Sequence, residues 1–218
     1  MTDVLTGLAE IQTLGDLLDR LGGISADRVR FRPTPGTATE ADVLAVERSK
    51  NRLCELVDGV LVEKAMGYRE SLLAAALIRW LSAFVLSRNL GLVSGADGMM
   101  QLFPGLVRIP DVAYVSWNRL PGGRVPQEAI PSLVPDLAVE ILSVGNTPAE
   151  MARKREEYFS AGVRLLWYVD PLRRIATVHT SPHAYTLRTT EETLEGGDVL
   201  PEFTLPLRDL FAELDRHA

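Results

Sequence analysis

The sequence contains little cysteine and little histidine. Its 218 residues include one cysteine, Cys54, and three histidines. A single cysteine excludes an internal disulfide, and it also excludes a zinc site built from several cysteines. Chains without disulfides are typical of reducing compartments. We therefore expect a cytoplasmic protein.

The sequence also lacks an excess of positive charge and a long uninterrupted apolar run. Lys and Arg number 23 against 29 Asp and Glu, which gives a net charge of −6. This balance argues against a protein that coats nucleic acid non-specifically, but it does not exclude a nuclease, because acids that hold metal ions add negative charge. The longest apolar stretch, residues 71–86, is broken by Arg79 and is short for a membrane span. We expect no membrane association.

The apolar patterning predicts an α/β protein with a mixed central sheet flanked by helices. Asp58-Gly59 between two apolar runs predicts a β-hairpin. Helices are predicted at residues 13–21, 40–50, 68–87, 147–161 and 207–214. Further strands are predicted at residues 92–94, 99–103, 107–116, 137–143, 163–170, 174–180 and 183–188. Residues 1–50 are interpreted as a helical appendage, and residues 51–218 as the main domain.

Acidic residues stand in two of the apolar strands. Pro110-Asp111 and Pro135-Asp136 each open one, and Glu140 lies inside the second. A buried charge is costly unless it is paired or holds a metal ion. Asp136 and Glu140 share a strand face but lie about 13 Å apart at roughly 3.3 Å per residue, too far for one ion. Asp111 can share an ion with Glu140 if the start of its strand meets the middle of the other.

Lys154 is predicted to lie about two turns into the helix that follows Glu140. From there it can stabilise charge on a phosphate or help to generate an attacking hydroxide.

Plainer interpretations of the charged residues remain open. Asp111 can cap a turn, Glu140 can form a core salt bridge, and Lys154 can pair with Glu150 on an exposed helix face. Glu55 is interpreted as a charge on an edge strand.

Five segments together resemble the Uma family of restriction endonucleases, within the PD-(D/E)XK nuclease superfamily. They are residues 55–63, 109–116, 135–143, Lys154 with Tyr158, and 161–171, and the resemblance covers roughly residues 50–212. It implies a restriction-endonuclease-like core, Mg²⁺- or Mn²⁺-dependent cleavage of DNA, and a homodimer.

The resemblance also assigns site residues. Asp111 matches the aspartate of the PD element and Glu140 the acid of the (D/E)XK element. Leu142 stands where that element has its lysine, and Lys154 matches the alternative in which the lysine has moved to the next helix. The histidine that many relatives carry near the long helix is missing, and Glu70 is its expected replacement. The Ile141 carbonyl is a further candidate metal ligand.

The leading hypothesis is therefore a Mg²⁺-dependent DNA endonuclease-like phosphodiesterase. A catalytically silent module that binds nucleic acid or protein on a nuclease scaffold is the main alternative, and a hydrolase with paired carboxylates acting on a glycoside is a third. Arg28, Arg30 and Arg32 are candidate contacts to a nucleic-acid backbone, although an alternating basic strand is also an ordinary sheet edge.

Overall fold

The structure is a computed structural model that describes residues 11–50, 52–65 and 67–215. The α-helices in these ranges are α1 (Leu14–Arg20), α2 (Glu40–Lys50), α3 (Tyr68–Ser87), α4 (Pro148–Ala161) and α5 (Leu207–Phe211). The strands are β1 (Cys54–Val57), β2 (Val60–Glu63), β3 (Gly91–Ser94), β4 (Met100–Phe103), β5 (Leu106–Arg108), β6 (Val112–Ser116), β7 (Leu137–Ile141), β8 (Leu165–Asp170), β9 (Ile175–His179), β10 (Tyr185–Arg188), β11 (Thr193–Glu195) and β12 (Thr204–Pro206).

The strands form a six-stranded sheet, a four-stranded sheet and a two-stranded ribbon. The six-stranded sheet has the order β10-β9-β8-β7-β6-β3. Its β7 and β8 are parallel, and its other neighbours are antiparallel. The smaller sheet has the order β2-β1-β5-β4, and β11 pairs with β12. The predicted mixed sheet with flanking helices is confirmed, whereas the ribbon was not predicted.

Local signals set several element boundaries. The Thr147 hydroxyl accepts a hydrogen bond from the Glu150 amide, and Pro148 occupies the first turn of α4. Gly162 ends this helix in the left-handed region, with φ 103°. In the β1–β2 hairpin, Asp58 and Gly59 have φ values of 50° and 68°, as a two-residue turn with left-handed central residues requires.

The six-stranded sheet is covered on both faces. Leu137, Val139 and Ile141 of β7 join the apolar cluster that contains α3 and α5. Ala138, which points the other way, packs in a second cluster that contains Tyr158 of α4. In the parallel β7–α4–β8 unit, α4 therefore covers the sheet face that carries Ala138. Any side chain of β7 on this face points towards α4.

The expectation of one strand over residues 107–116 is wrong. The chain leaves β5 at Arg108 and enters β6 at Val112, and the two strands belong to different sheets. Pro110 lies between them, and because it lacks an amide proton it cannot continue a ladder of hydrogen bonds. Asp111 therefore stands at the junction of the two sheets.

By length and composition, helix α3 is long and apolar enough to cross a membrane. Core helices have the same length and composition. In this structure Leu73, Leu77, Leu81 and Val85 of α3 are fully buried in the cluster against the six-stranded sheet. Packing within the protein therefore accounts for the apolar stripe at these four positions.

The segment before β1 packs against the small sheet. Leu17 and Leu21 share an apolar cluster with Val60 of β2, and Val43 of α2 packs with Leu56 of β1. The division into an appendage of residues 1–50 and a main domain stays a prediction, and its first ten residues lie outside the described ranges.

Candidate nuclease site

The antiparallel pairing of β6 with β7 places Asp111 beside Glu140. Val112 lies opposite Val139, and the Asp111 amide donates to the Val139 carbonyl at 2.9 Å. The Ile141 amide donates to Asp111 Oδ2 at 2.6 Å. Because side chains alternate along a strand, both acids lie on the face that α4 covers. The start of one strand meets the middle of the other, as predicted.

Lys154 extends from α4 to the Glu140 carboxylate. Its Nζ lies 3.2 Å from Glu140 Oε2 and 3.1 Å from Glu55 Oε1. The hydroxyl of Tyr158, one turn later on α4, donates to Glu140 Oε1 at 2.6 Å. The core salt bridge that was an alternative interpretation of Glu140 is therefore present, and it lies within the predicted site.

Glu55 of β1 is a third carboxylate in this cluster. Its Oε1 accepts hydrogen bonds from Lys154 and from the Ile109 amide, and its Oε2 lies 2.6 Å from the Arg108 guanidinium. Arg108 also pairs with Glu157 of α4. Glu55 is 1% exposed, so the interpretation as an edge-strand charge is wrong. An acid within an apolar strand, the signal that identified Glu140, was present here too.

Lys64 is a second residue that the sequence reasoning missed. It follows β2, and its Nζ lies 2.8 Å from Asp111 Oδ1. The same ammonium donates to the carbonyls of Ile109 and Ala96. Nothing in the local sequence indicated this contact, because Lys64 and Asp111 belong to segments that meet only where the two sheets join.

The charges in the cluster shift one another's protonation. Burial raises the pKa of Glu55, but the attraction of Lys154 and Arg108 outweighs it and lowers the pKa to about 2. Burial, together with repulsion by Asp111 and Glu55, raises the pKa of Glu140. Burial opposes the charge on Lys154, yet Glu140 and Glu55 raise its pKa. Lys154 is consequently a stable cation at neutral pH.

The cluster is deeply buried, and its residues do not line the cleft at the carboxyl ends of β7 and β8. Asp111, Glu140 and Lys154 are 3%, 5% and 3% exposed. A cleft of about 390 Å³ lies at the carboxyl ends of β7 and β8. Its lining includes Leu142, two residues after Glu140, and Met151, three residues before Lys154. The cleft therefore borders the segments that carry Glu140 and Lys154, but none of the cluster residues lines it.

Two other predicted site residues have different surroundings. Glu70 lies in the first turn of α3, and its carboxylate folds back against Gly67. Within the described ranges, no hydrogen bond or ion pair joins Glu70 to Asp111 or Glu140. Ile141 contacts Asp111 through its amide rather than its carbonyl. Catalytic use of Glu70 and a metal contact by the Ile141 carbonyl stay predictions.

Asp136 takes no part in the cluster, in agreement with the distance argument. Its carboxylate accepts a hydrogen bond from the Ser116 amide at 2.8 Å and pairs with Arg119 at 3.2 Å. These contacts hold the opposite end of β7 to the last residue of β6 and to the segment that follows it. The second Pro-Asp pair is thus structural, although in sequence it resembles the first.

Two interpretations of charged residues are wrong. Glu150 does not pair with Lys154 on an exposed face, because its carboxylate receives two hydrogen bonds from Arg28, at 2.7 and 3.0 Å. Arg28 is only 9% exposed, so it is not available to a nucleic-acid backbone. Arg30 pairs with Glu63 at 2.6 Å, whereas Arg32 is exposed.

The donor set fits a hard divalent cation. Within the described residues, no group of three or more Asp, Glu, His or Cys side chains is arranged as a metal cluster. An ion here would therefore rest on the carboxylates of Asp111 and Glu140, which suits Mg²⁺ because it keeps several waters and uses phosphate oxygens. Asp111 Oδ1 accepts no well-aligned hydrogen bond from the described residues, although the Lys64 ammonium is close.

Comparison with known proteins gives the family. The model of the Uma2 family, described as "Putative restriction endonuclease", matches residues 40–208. The chain belongs to the Uma2 family. The matched region contains Asp111, Glu140 and Lys154, and the resemblance seen in the sequence is confirmed. No curated protein matches the chain.

A solved structure gives the fold. A putative nuclease of family DUF820 from Anabaena variabilis ATCC 29413 is similar over 76% of this chain and 93% of that chain, with a TM-score of 0.67 and 18% sequence identity. The likeness shows that the two proteins share a fold and confirms the restriction-endonuclease-like core. Membership of the Uma2 family, with its description as a restriction endonuclease family, supports nuclease function.

Proposed function

We propose that this Uma2 protein is a Mg²⁺- or Mn²⁺-dependent DNA endonuclease whose site is formed by Asp111, Glu140 and Lys154. The observation that carries the proposal is their convergence. Two carboxylates from neighbouring strands lie on one sheet face, with a lysine ammonium 3.2 Å from one of them. A bound ion would supply electrostatic stabilisation of the phosphate and a more acidic attacking water.

The chain's own residues have distinct roles in this proposal. Asp111 and Glu140 hold the ion, and the Ile141 carbonyl is a candidate additional ligand. Lys154 stays charged at neutral pH because its pKa is raised, which favours stabilisation of charge on the phosphate over abstraction of a proton. Tyr158 fixes the orientation of Glu140 through its hydrogen bond.

Glu55 belongs to the proposal as a positioning residue. Its carboxylate lies 3.1 Å from Lys154 and accepts the Ile109 amide, so it holds the ammonium at a fixed place between two acids. The cleft at the carboxyl ends of β7 and β8 lies where an open α/β sheet usually binds its ligand, although the buried acids and Lys154 do not line it. Glu70 as an auxiliary acid and a homodimeric assembly remain part of the proposal.

The test is cleavage of plasmid and single-stranded DNA with Mg²⁺ or Mn²⁺. We expect Asp111→Asn and Glu140→Gln to lower the rate by about 100-fold or more, because each removes a metal-binding charge. Asp136→Asn is the matched control, since Asp136 also follows a proline and is 3% exposed but belongs to another network. Equal cleavage by wild type and Glu140→Gln, or none by wild type, would contradict the proposal.

The burial of the cluster favours one alternative, a catalytically silent module that binds nucleic acid or protein. All three proposed site residues are at most 5% exposed, and Lys64 already neutralises Asp111. This alternative predicts binding that is unaffected by a chelator and by Asp111→Ala. Loss of binding on addition of EDTA would exclude it.

A further inference from the structure

Lys64 is held in place by three oxygen atoms. Its ammonium contacts Asp111 Oδ1 and the carbonyls of Ile109 and Ala96. Its side chain is 6% exposed. A lysine with this many fixed oxygen contacts differs from an ordinary surface lysine, whose ammonium is solvated and mobile.

The contacts of Lys64 are those of a small cation. Carboxylate and carbonyl oxygens surround its charge, and such oxygens are also the protein ligands of hard divalent ions. Without Lys64, Asp111 would be a buried carboxylate for which the described residues supply one hydrogen-bond donor, the Ile141 amide.

We propose that Lys64 is a built-in cation that competes with the divalent ion for Asp111. In the ion-free protein its ammonium balances the Asp111 carboxylate and keeps the buried acids from repelling each other. Binding of a divalent ion then requires Lys64 to leave Oδ1, so the affinity for the ion is set partly by how firmly Lys64 is held. This inference rests on the proposed function, because it takes Asp111 as a metal ligand.

A purely structural lysine would behave differently from a competitor. If Lys64 only stabilised the site, its removal would loosen the carboxylates and weaken ion binding. If it competes, its removal frees one side of Asp111 and strengthens ion binding. The sign of the change in affinity therefore separates the two roles.

The experiment measures Mn²⁺ binding to the intact protein by calorimetry, with the unfolding temperature recorded in EDTA and in Mn²⁺. Lys64→Gln removes the charge and keeps an amide that can donate to the two carbonyls. We expect it to bind Mn²⁺ about tenfold more tightly, which corresponds to about 1.4 kcal/mol. We also expect the unfolding temperature of Lys64→Gln in EDTA to be lower than that of wild type. Addition of Mn²⁺ should raise its unfolding temperature by more than it raises that of wild type.

Two controls make the result specific. Arg208→Gln removes one positive charge at a site that is 72% exposed, so it reports the effect of net charge alone, and we expect it to match wild type. When Asp111→Asn is combined with Lys64→Gln, the increase in Mn²⁺ affinity should disappear. If Lys64→Gln fails to fold in EDTA, Lys64→Met purified in Mn²⁺ provides the same comparison.

The outcomes separate this inference from the proposed function. Unchanged or weaker Mn²⁺ binding by Lys64→Gln, with wild type binding through Asp111, would overturn the competition and leave the proposed site intact. Absence of Mn²⁺ binding in both proteins would overturn the proposed site and this inference together.

Discussion

Neutralising Glu55 provides a quantitative test of the charge network. In Glu55→Gln, a neutral amide of the same shape replaces the carboxylate between Lys154 and Arg108. The folded-state pKa of Glu55 is about 2 against an ordinary value of 4.5. This difference corresponds to about 3 kcal/mol of stability at neutral pH. Since Gln resembles the protonated acid, we expect the substitution to lower the free energy of unfolding by about that amount.

The pH dependence of this effect follows from the sign of the shift. The pKa of Glu55 is lowered by folding, so the unfolded chain binds the proton more readily. The stabilisation by Glu55 is therefore complete above about pH 4.5 and disappears as the pH falls towards 2. The stability difference between wild type and Glu55→Gln should shrink over the same range.

The assay is urea unfolding at several pH values, followed by the fluorescence of the buried Trp167. Glu63→Gln is the matched control, because Glu63 lies on the other strand of the hairpin and pairs with Arg30 and Arg52 with its side chain 15% exposed. We expect this control to lose less than about 1 kcal/mol. Equal losses for the two variants at pH 7 would refute the reasoning.

Three further substitutions have defined outcomes. Burial and Arg155 lower the pKa of His179 to about 4 from 6.5, so the stability that its neutral form contributes is complete above pH 6.5 and is lost as the pH falls towards 4. Because His179 is 4% exposed, solvent screens its charge little, and urea unfolding should show wild type losing up to about 3 kcal/mol more than His179→Phe over this range. Tyr158→Phe removes the hydroxyl donor to Glu140, and we expect a loss of about 1–2 kcal/mol with slower DNA cleavage. Asp136→Asn should destabilise by about 2 kcal/mol without changing cleavage per folded molecule, as thermal unfolding and a DNA cleavage assay would show.

The elements that could be predicted from sequence are those whose signals are local. The Asp58-Gly59 turn, the Thr147 cap and the apolar periodicity of residues 68–87 each depend on a few neighbouring residues. The distance argument worked for the same reason, because the rise of roughly 3.3 Å per residue along one strand already separates Asp136 from Glu140. The ribbon of β11 and β12 was missed because its strands are only three residues each.

Only the part of the candidate site that lies in the six-stranded sheet could be predicted. The rest of the site comes from the small sheet and from the segment that follows β2. Asp111 and Glu140 lie on adjacent strands of the six-stranded sheet, and pairing of those strands is enough to bring them together. Glu55 lies in the small sheet and Lys64 directly after β2. The break at Pro110 turns the chain between the sheets. Sequence periodicity shows neither this break nor the contact of Lys64 with Asp111.

The number of charges in the cluster is itself evidence about its purpose. Asp111, Glu140 and Glu55 are buried together with Lys64 and Lys154. Each buried ion costs several kcal/mol of desolvation, and well-packed apolar residues in place of such pairs are often neutral or stabilising by about 1–4 kcal/mol. Folding stability alone therefore gives little reason to hold five charges at the junction of two sheets. The proposed site would present carboxylates to a cation and an ammonium to a phosphate, and this proposal accounts for the arrangement better than core packing does.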